Sequence, residues 1–338
     1  MDTAQPLSSD TKAFDAVFFI AANKDGYYLV AGAERRHYGT INGLCYLVVP
    51  GKGLLCNPKI PDTILFGAKD NEFGAEELSL KPVKAMKKWK ISYKGNMRLE
   101  TDPSQVFVVN IDAEWTSDLP FFNYDTDLHP STVARAIGRE TWSREYFKSL
   151  ERAHQTHYEQ MGMLHADIKI NSEILSVKMP SFRDHSYGNK RDWELMYRYA
   201  FHMFFLEDGT KGTIGLICQP CTCSRLETGY VYTSSGDIHP LEWCDFELHR
   251  HGENGRPPTD HSFRFKAGPT VYDVQVKEEY QSTHYKGWKW EARLVERFVK
   301  YIVNGIPGRG VSEFHYYNKG GRPQYIADKD PDWFKRLT

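Results

Sequence analysis

The 338-residue chain has no charge bias: 43 Lys and Arg against 44 Asp and Glu leave a formal net charge of −1. Nucleic-acid binding draws on a strongly basic surface, so a nucleic-acid partner is not expected. No segment approaches the roughly 20 apolar residues that a membrane-spanning helix needs. The opening Met1-Asp-Thr-Ala-Gln-Pro-Leu-Ser-Ser-Asp-Thr-Lys12 has no basic stretch leading into an apolar run. A secretory leader is therefore not read, and a cytoplasmic protein is expected. Glycine-rich phosphate loops are missing too, since Gly305-Ile-Pro-Gly-Arg-Gly310 fits neither nucleotide-binding spacing. Gly-x-Ser-x-Gly, the usual hydrolase elbow, does not occur.

Metal-ligand spacing is also scarce. Cys45, Cys56, Cys218, Cys221, Cys223 and Cys244 include one Cys-x-x-Cys-x-Cys run but no second knuckle, so they read as ordinary buried thiols. His154 with His157, and His249 with His251, have no partnering ligand at a recognisable distance. No metal and no cofactor are expected, and nothing in the chain sets an oligomeric state.

What the chain does have is aromatic residues, 14% of the total, within a 41% hydrophobic and 26% charged composition. Short alternating runs punctuated by Asp25-Gly26, Asn42-Gly43, Asp208-Gly209 and Lys286-Gly287 make an all-β signature. Thirteen candidate strands are too many for one barrel of about eight, and the length suits two domains. The one helical stretch lies between Pro130 and Gly162, with Ser143 as a cap. It predicts a first β-barrel over 12–128, a helical connection over 129–162 and a second β-barrel over 163–325. The lysines from Lys81 to Lys94, around Trp89 and Tyr93, read as a solvated edge strand.

The most informative stretch is Ser181-Phe-Arg-Asp-His-Ser-Tyr-Gly-Asn-Lys-Arg-Asp-Trp193. Charge this dense next to apolar strands is costly unless paired, so it is either a structural ion-pair network at a turn or the polar floor of a site. In the strand that follows, Leu195, Tyr197, Tyr199, Phe201, Met203 and Phe205 form one apolar face. Arg198 and His202 lie on the other, mixed face. Period-two alternation predicts a dry core on the first face and a pocket or barrel interior on the second.

Four segments together carry a resemblance: His157-Tyr-Glu-Gln160, Ala166-Asp-Ile-Lys-Ile-Asn171, Arg183-Asp-His-Ser-Tyr-Gly188 with Arg191-Asp-Trp193, and Gly308-x-Gly310 with Glu313. The chain resembles the lipocalin-like, calycin-type family of carotenoid hydratases, whose named enzyme is hydroxyneurosporene synthase. The likeness covers about residues 155–315, and the first half only through its strand rhythm. It departs in having Tyr187 where relatives commonly carry Trp, and in its helical insertion. The resemblance implies two packed calycin-type barrels, a hydrophobic small-molecule partner and no metal or nucleotide cofactor.

Two functions fit. One is binding of an apolar, lipid- or isoprenoid-like molecule in a barrel cavity. The other is an acid–base hydratase or isomerase with Asp184 as proton donor and His185 or Glu159 as its proton relay. Arg183 and Arg191 would balance charge, while Tyr187, Tyr197, Tyr199, Phe201 and His202 would line the ligand.

Overall fold

The structure, a computed structural model, describes residues 2–324. Ten strands precede the helices: β1 (Phe14–Ala22), β2 (Tyr28–Arg36), β3 (Thr40–Val49), β4 (Gly53–Cys56), β5 (Ile64–Phe66), β6 (Phe73–Ala75), β7 (Leu78–Lys84), β8 (Lys88–Leu99), β9 (Val106–Thr116) and β10 (Phe122–Asn123). Helices α1 (Pro130–Gly138) and α2 (Arg144–Ala153) lead into β11 (Thr156–Ile170) and β12 (Glu173–Gly188). Eight further strands follow: β13 (Arg198–Leu206), β14 (Lys211–Gln219), β15 (Cys223–Tyr232), β16 (Ile238–Cys244), β17 (Asp260–Ala267), β18 (Thr270–Lys286), β19 (Ala292–Val303) and β20 (Ile306–Tyr317).

The chain is all-β, with two barrel-like units. In the first, antiparallel pairing runs β11-β12-β1-β2-β3-β4-β8-β9 and returns to β11, closing a ring. In the second, β13 to β20 form a closed barrel in sequence order. Closure leaves no unpaired edge within either ring.

Several expectations change. The expected division at 162/163 does not separate the sheets, because β11 and β12 pair with β9 and β1 of the first ring. The first ring therefore extends to Gly188, and the second barrel begins at Arg198. Helix ends at Ala153; Tyr158, Glu159 and Met161 are on a strand. Ser143 does cap α2, its hydroxyl accepting from the Tyr146 amide at 3.1 Å. Gly26, Gly209 and Gly287 have positive φ between paired strands, whereas Asn42-Gly43 lies inside β3. The lysine-rich β8 is no edge: it pairs with β7 and β9, and Lys88 meets Glu114 on β9 at 2.8 Å.

Both rings are packed inside. The first holds Phe19, Trp89, Trp115, Ile111 and Leu164, and the second Phe204, Phe263, Phe265, Val295 and Phe314. A third apolar cluster forms the seam where the outer faces meet, with Ile20, Tyr28, Val30 and Tyr46 against Met203, Phe205, Tyr230 and Phe298.

Candidate functional site

A cavity of about 360 Å³ opens along this seam. It lies between the rings rather than inside one, and the pleat decides which side chains reach it. Alternate residues of a strand face opposite ways, so Phe182, Asp184 and Ser186 of β12 and His157 and Glu159 of β11 line the cavity. The intervening residues point into the first ring.

On that inner side, Arg183 is fully buried, donating to Asp2 at 2.5 Å and to Gln160 at 2.8 Å. Its guanidinium lies over the Trp89, Trp115 and Tyr158 rings. His185 Nε2 is 2.6 Å from Asp15 and its Nδ1 2.8 Å from the Tyr158 hydroxyl. Arg35 completes the set by donating to Asp15 at 2.5 Å. Arg183 and His185, expected at the site, thus belong to a buried network inside the first ring, and Tyr187 follows the same face with its ring 5.3 Å from that of His185.

The outer side is arranged differently. Glu159 and Asp184 stand directly opposite each other on paired strands. Glu159 Oε1 accepts from the Tyr124 hydroxyl at 2.7 Å and lies 3.0 Å from His157 Nε2, and the buried Tyr230 hydroxyl also lies close enough to the carboxylate to act on it. Burial, reinforced by Glu159, pushes the Asp184 carboxyl up to about 6 against the opposing pull of His157 and Arg191. Burial would lower His157, yet the Glu159 carboxylate beside it wins and holds it above its ordinary value.

Arg191 closes one side. It donates to Glu34 at 3.0 Å and to Ser186 and Gln155 at 2.9 Å each, with its guanidinium 3.8 Å from the centre of the Phe14 ring. Burial would raise Glu34, but Arg36 and Arg191 hold it down at about 2. Lys286 also lines the cavity. Its ammonium sits 5.6 Å from the Phe18 ring and 5.7 Å from that of Trp193, with no carboxylate at ion-pair distance among the described residues.

The second barrel supplies Tyr199, Phe201 and Met203 from β13. The mixed face of that strand fills the barrel interior, one of its two expected places, whereas the apolar face, expected to be a dry core, walls the cavity with Tyr199 and Phe201. His202 is enclosed there, with Nδ1 2.9 Å from Ser312 Oγ and rings of Phe246 and Phe263 around it. Desolvation drives it well below its usual value, so it is a neutral core histidine. Tyr197 is half-exposed and bonded to Glu253, away from the cavity. Two glycines shape the aromatic walls. A Cβ on Gly32 would come within 2.4 Å of Phe18, and one on Gly215 within 2.3 Å of Phe201, so each ring lies flat over a cross-strand glycine.

Of the expected residues, the cavity gathers Glu159, Asp184, Arg191, Tyr199 and Phe201; Arg183, His185, Tyr187, Tyr197 and His202 lie elsewhere. His157, Ser186, Glu34, Lys286 and Glu313 were not foreseen as site residues. The signal for His157 was its two-residue spacing from Glu159 on a strand, masked by reading that stretch as helix.

A family model matches residues 1–316. The chain belongs to the family of unknown function DUF8627. No curated protein matches this DUF8627 member. Among solved structures it resembles an AttH-like protein of Nitrosomonas europaea at TM-score 0.61 and 12% identity, over 91% of this chain and 93% of that one. It also resembles kievitone hydratase of Nectria haematococca, at 0.53 and 9% over 92% and 90%. A structure of CghA with Sch210972 gives 0.57 and 8% over 94% and 95%. At identities this low the likeness of the DUF8627 chain to these structures is one of fold alone, and function must be argued from the site.

Proposed function

We propose that the protein binds an apolar small molecule, lipid- or isoprenoid-like with one oxygen-bearing end, in the seam cavity and acts on it as a hydratase- or isomerase-type acid–base enzyme. The observation that carries this reading is the pair Glu159, buried, and Asp184, half-buried, side by side and facing walls of Phe182, Leu44, Phe201 and Met203. Simple carriage of an apolar ligand gains nothing from two adjacent carboxyls withdrawn from bulk water, which are costly without full hydrogen bonding.

A carboxyl at about 6 exchanges protons readily near neutral pH. In its protonated form Asp184 gives a proton to one carbon of a ligand double bond, whose π electrons form the new C–H bond. The cationic carbon left behind faces the Tyr199 and Phe201 rings, which stabilise positive charge. Water adds its oxygen there and passes a proton to Glu159, from which Asp184 is recharged across the strand pair. In an isomerisation, the carboxylate instead removes a proton from the neighbouring carbon. Lys286 holds the oxygen-bearing end. The shared fold with kievitone hydratase supports this chemistry, as does the resemblance of the Arg183–Gly188 stretch to the carotenoid hydratases.

Solvent extraction and mass spectrometry of natively purified protein should return an apolar compound, retained by Asp184→Asn and converted only by the wild type. If wild type and Asp184→Asn leave the same compound unaltered, the catalytic half of the reading fails. If neither retains any apolar compound, nor binds 1-anilinonaphthalene-8-sulfonate at the seam, the binding half fails as well.

A further inference from the structure

We propose that His284, Glu296 and Glu313 form a binding site for one divalent transition-metal ion on the second-barrel side of the seam. The three come from successive strands β18, β19 and β20, and their ligand atoms lie within 4.8 Å of one another. Glu296 and Glu313 are direct cross-strand partners. His284 and Glu296 are fully buried.

The hydrogen bonds around the cluster leave its centre unserved. Among the described residues, no donor reaches either oxygen of Glu296 or His284 Nε2, and the only group set against the Glu296 carboxyl is the facing carboxyl of Glu313. His284 Nδ1 is 3.1 Å from the Tyr46 hydroxyl, which fixes the ring and leaves Nε2 toward the carboxylates. Glu313 accepts from the Tyr199 hydroxyl at 2.5 Å through Oε1. A histidine held through its other ring nitrogen and a carboxylate held by a hydroxyl are the outer supports metal ligands ordinarily have.

Two facing carboxylates removed from water require a counter-charge. A proton shared between them would answer that need but leave His284 Nε2 without a partner, whereas one cation serves all three side chains. Lys286, two residues from His284 on the same strand, lies near enough to act on both His284 and Glu296, yet it makes no hydrogen bond to either among the described residues.

One imidazole nitrogen with two carboxylates suits zinc or manganese better than magnesium or calcium, which favour oxygen-rich shells. Three protein ligands leave a position open, as in zinc sites that bind water or substrate. Glu313 borders the cavity, so that position would face the ligand. This site is independent of the acid–base reading, since Asp184 and Glu159 are on the other ring.

The test is calorimetric titration of the full chain, stripped with dipicolinate and dialysed, using ZnCl2 and MnCl2 with MgCl2 for comparison. Saturable binding of zinc or manganese at one equivalent per chain, unchanged in Asp184→Asn and abolished in Glu296→Gln, is expected. Circular-dichroism melts establish that Glu296→Gln folds, and Glu313→Gln serves in its place if it does not. Absence of saturable binding to the wild type, or equal binding by the folded variants, overturns the proposal. A protonated-carboxyl infrared band in the wild type at neutral pH, lost in Glu296→Gln but insensitive to added zinc or manganese, would instead assign the pair a shared proton.

Discussion

Arg183 and Asp184 are neighbours on one strand and live in opposite worlds. Arg183 points into the first ring, where Asp2 and Gln160 take its donors and three aromatic faces surround it. Asp184 points into the cavity, where burial raises its carboxyl. His185 and Ser186 repeat the contrast one step further along. Burial alone therefore does not separate scaffold from site; what separates them is whether the surrounding protein answers the buried charge.

The largest effect should come from breaking the answered side. Arg183→Ala strands the Asp2 carboxylate in the ring interior and should cost about 3–5 kcal/mol in urea unfolding. Asp2→Asn in the same chain should recover part of that loss, and an unchanged midpoint in the single variant would erase the contrast.

On the unanswered side the sign reverses. The Asp184 carboxyl is raised in the folded chain from 3.8 to about 6, so the folded state holds its proton more tightly than the unfolded state does. Stability linked to that proton is fully present below about pH 4 and lost as pH rises through about 6. Asp184→Asn should accordingly be more stable than wild type by about 3 kcal/mol at pH 7.5, with the gap closing toward pH 4. Denaturation curves at the two pH values check both sign and window.

The smallest effect belongs to charge that water already serves. Lys88 and Glu114 pair at 2.8 Å with both side chains exposed, and Lys88→Ala should shift unfolding by less than about 1 kcal/mol. Thermal melts in low and high salt would show it.

The same contrast explains what the sequence could reveal. Turns at Gly26, Gly209 and Gly287 and the alternation in β9 or β13 were legible, since each is a local pattern with a local cause. Strand β12 was not, because neither face of its last third is open to water, with Arg183 and His185 buried on one and half-buried Asp184 and buried Ser186 on the other. Such a strand shows no apolar–polar period and reads as a polar turn. Its pairing with β1, across more than 150 residues of chain, leaves no local trace either, so the ring boundary was misplaced.

On β13 only the dry-core reading of the apolar face failed, for a related reason. Arg198 finds Glu253 and the Leu248 carbonyl, and His202 finds Ser312, so polar residues settle inside the barrel while Tyr199 and Phe201 turn outward to the seam. Asp184 and Glu159 could be named from composition and motif. Lys286, read as a turn residue, and the gathering of His284, Glu296 and Glu313 from three strands depend on barrel closure, which no spacing encodes.

Because the cavity lies between two sheets that each close on themselves, its walls carry almost no backbone pairing from one ring to the other; the bridge between Asp62 and Tyr285 is the exception among the described residues. Residues such as Leu44, Phe201 and Met203 can change in volume while both hydrogen-bonded ladders remain whole. Ligand choice is thereby uncoupled from fold maintenance, and a lineage can explore new molecules at the seam while its two scaffolds stay as they are.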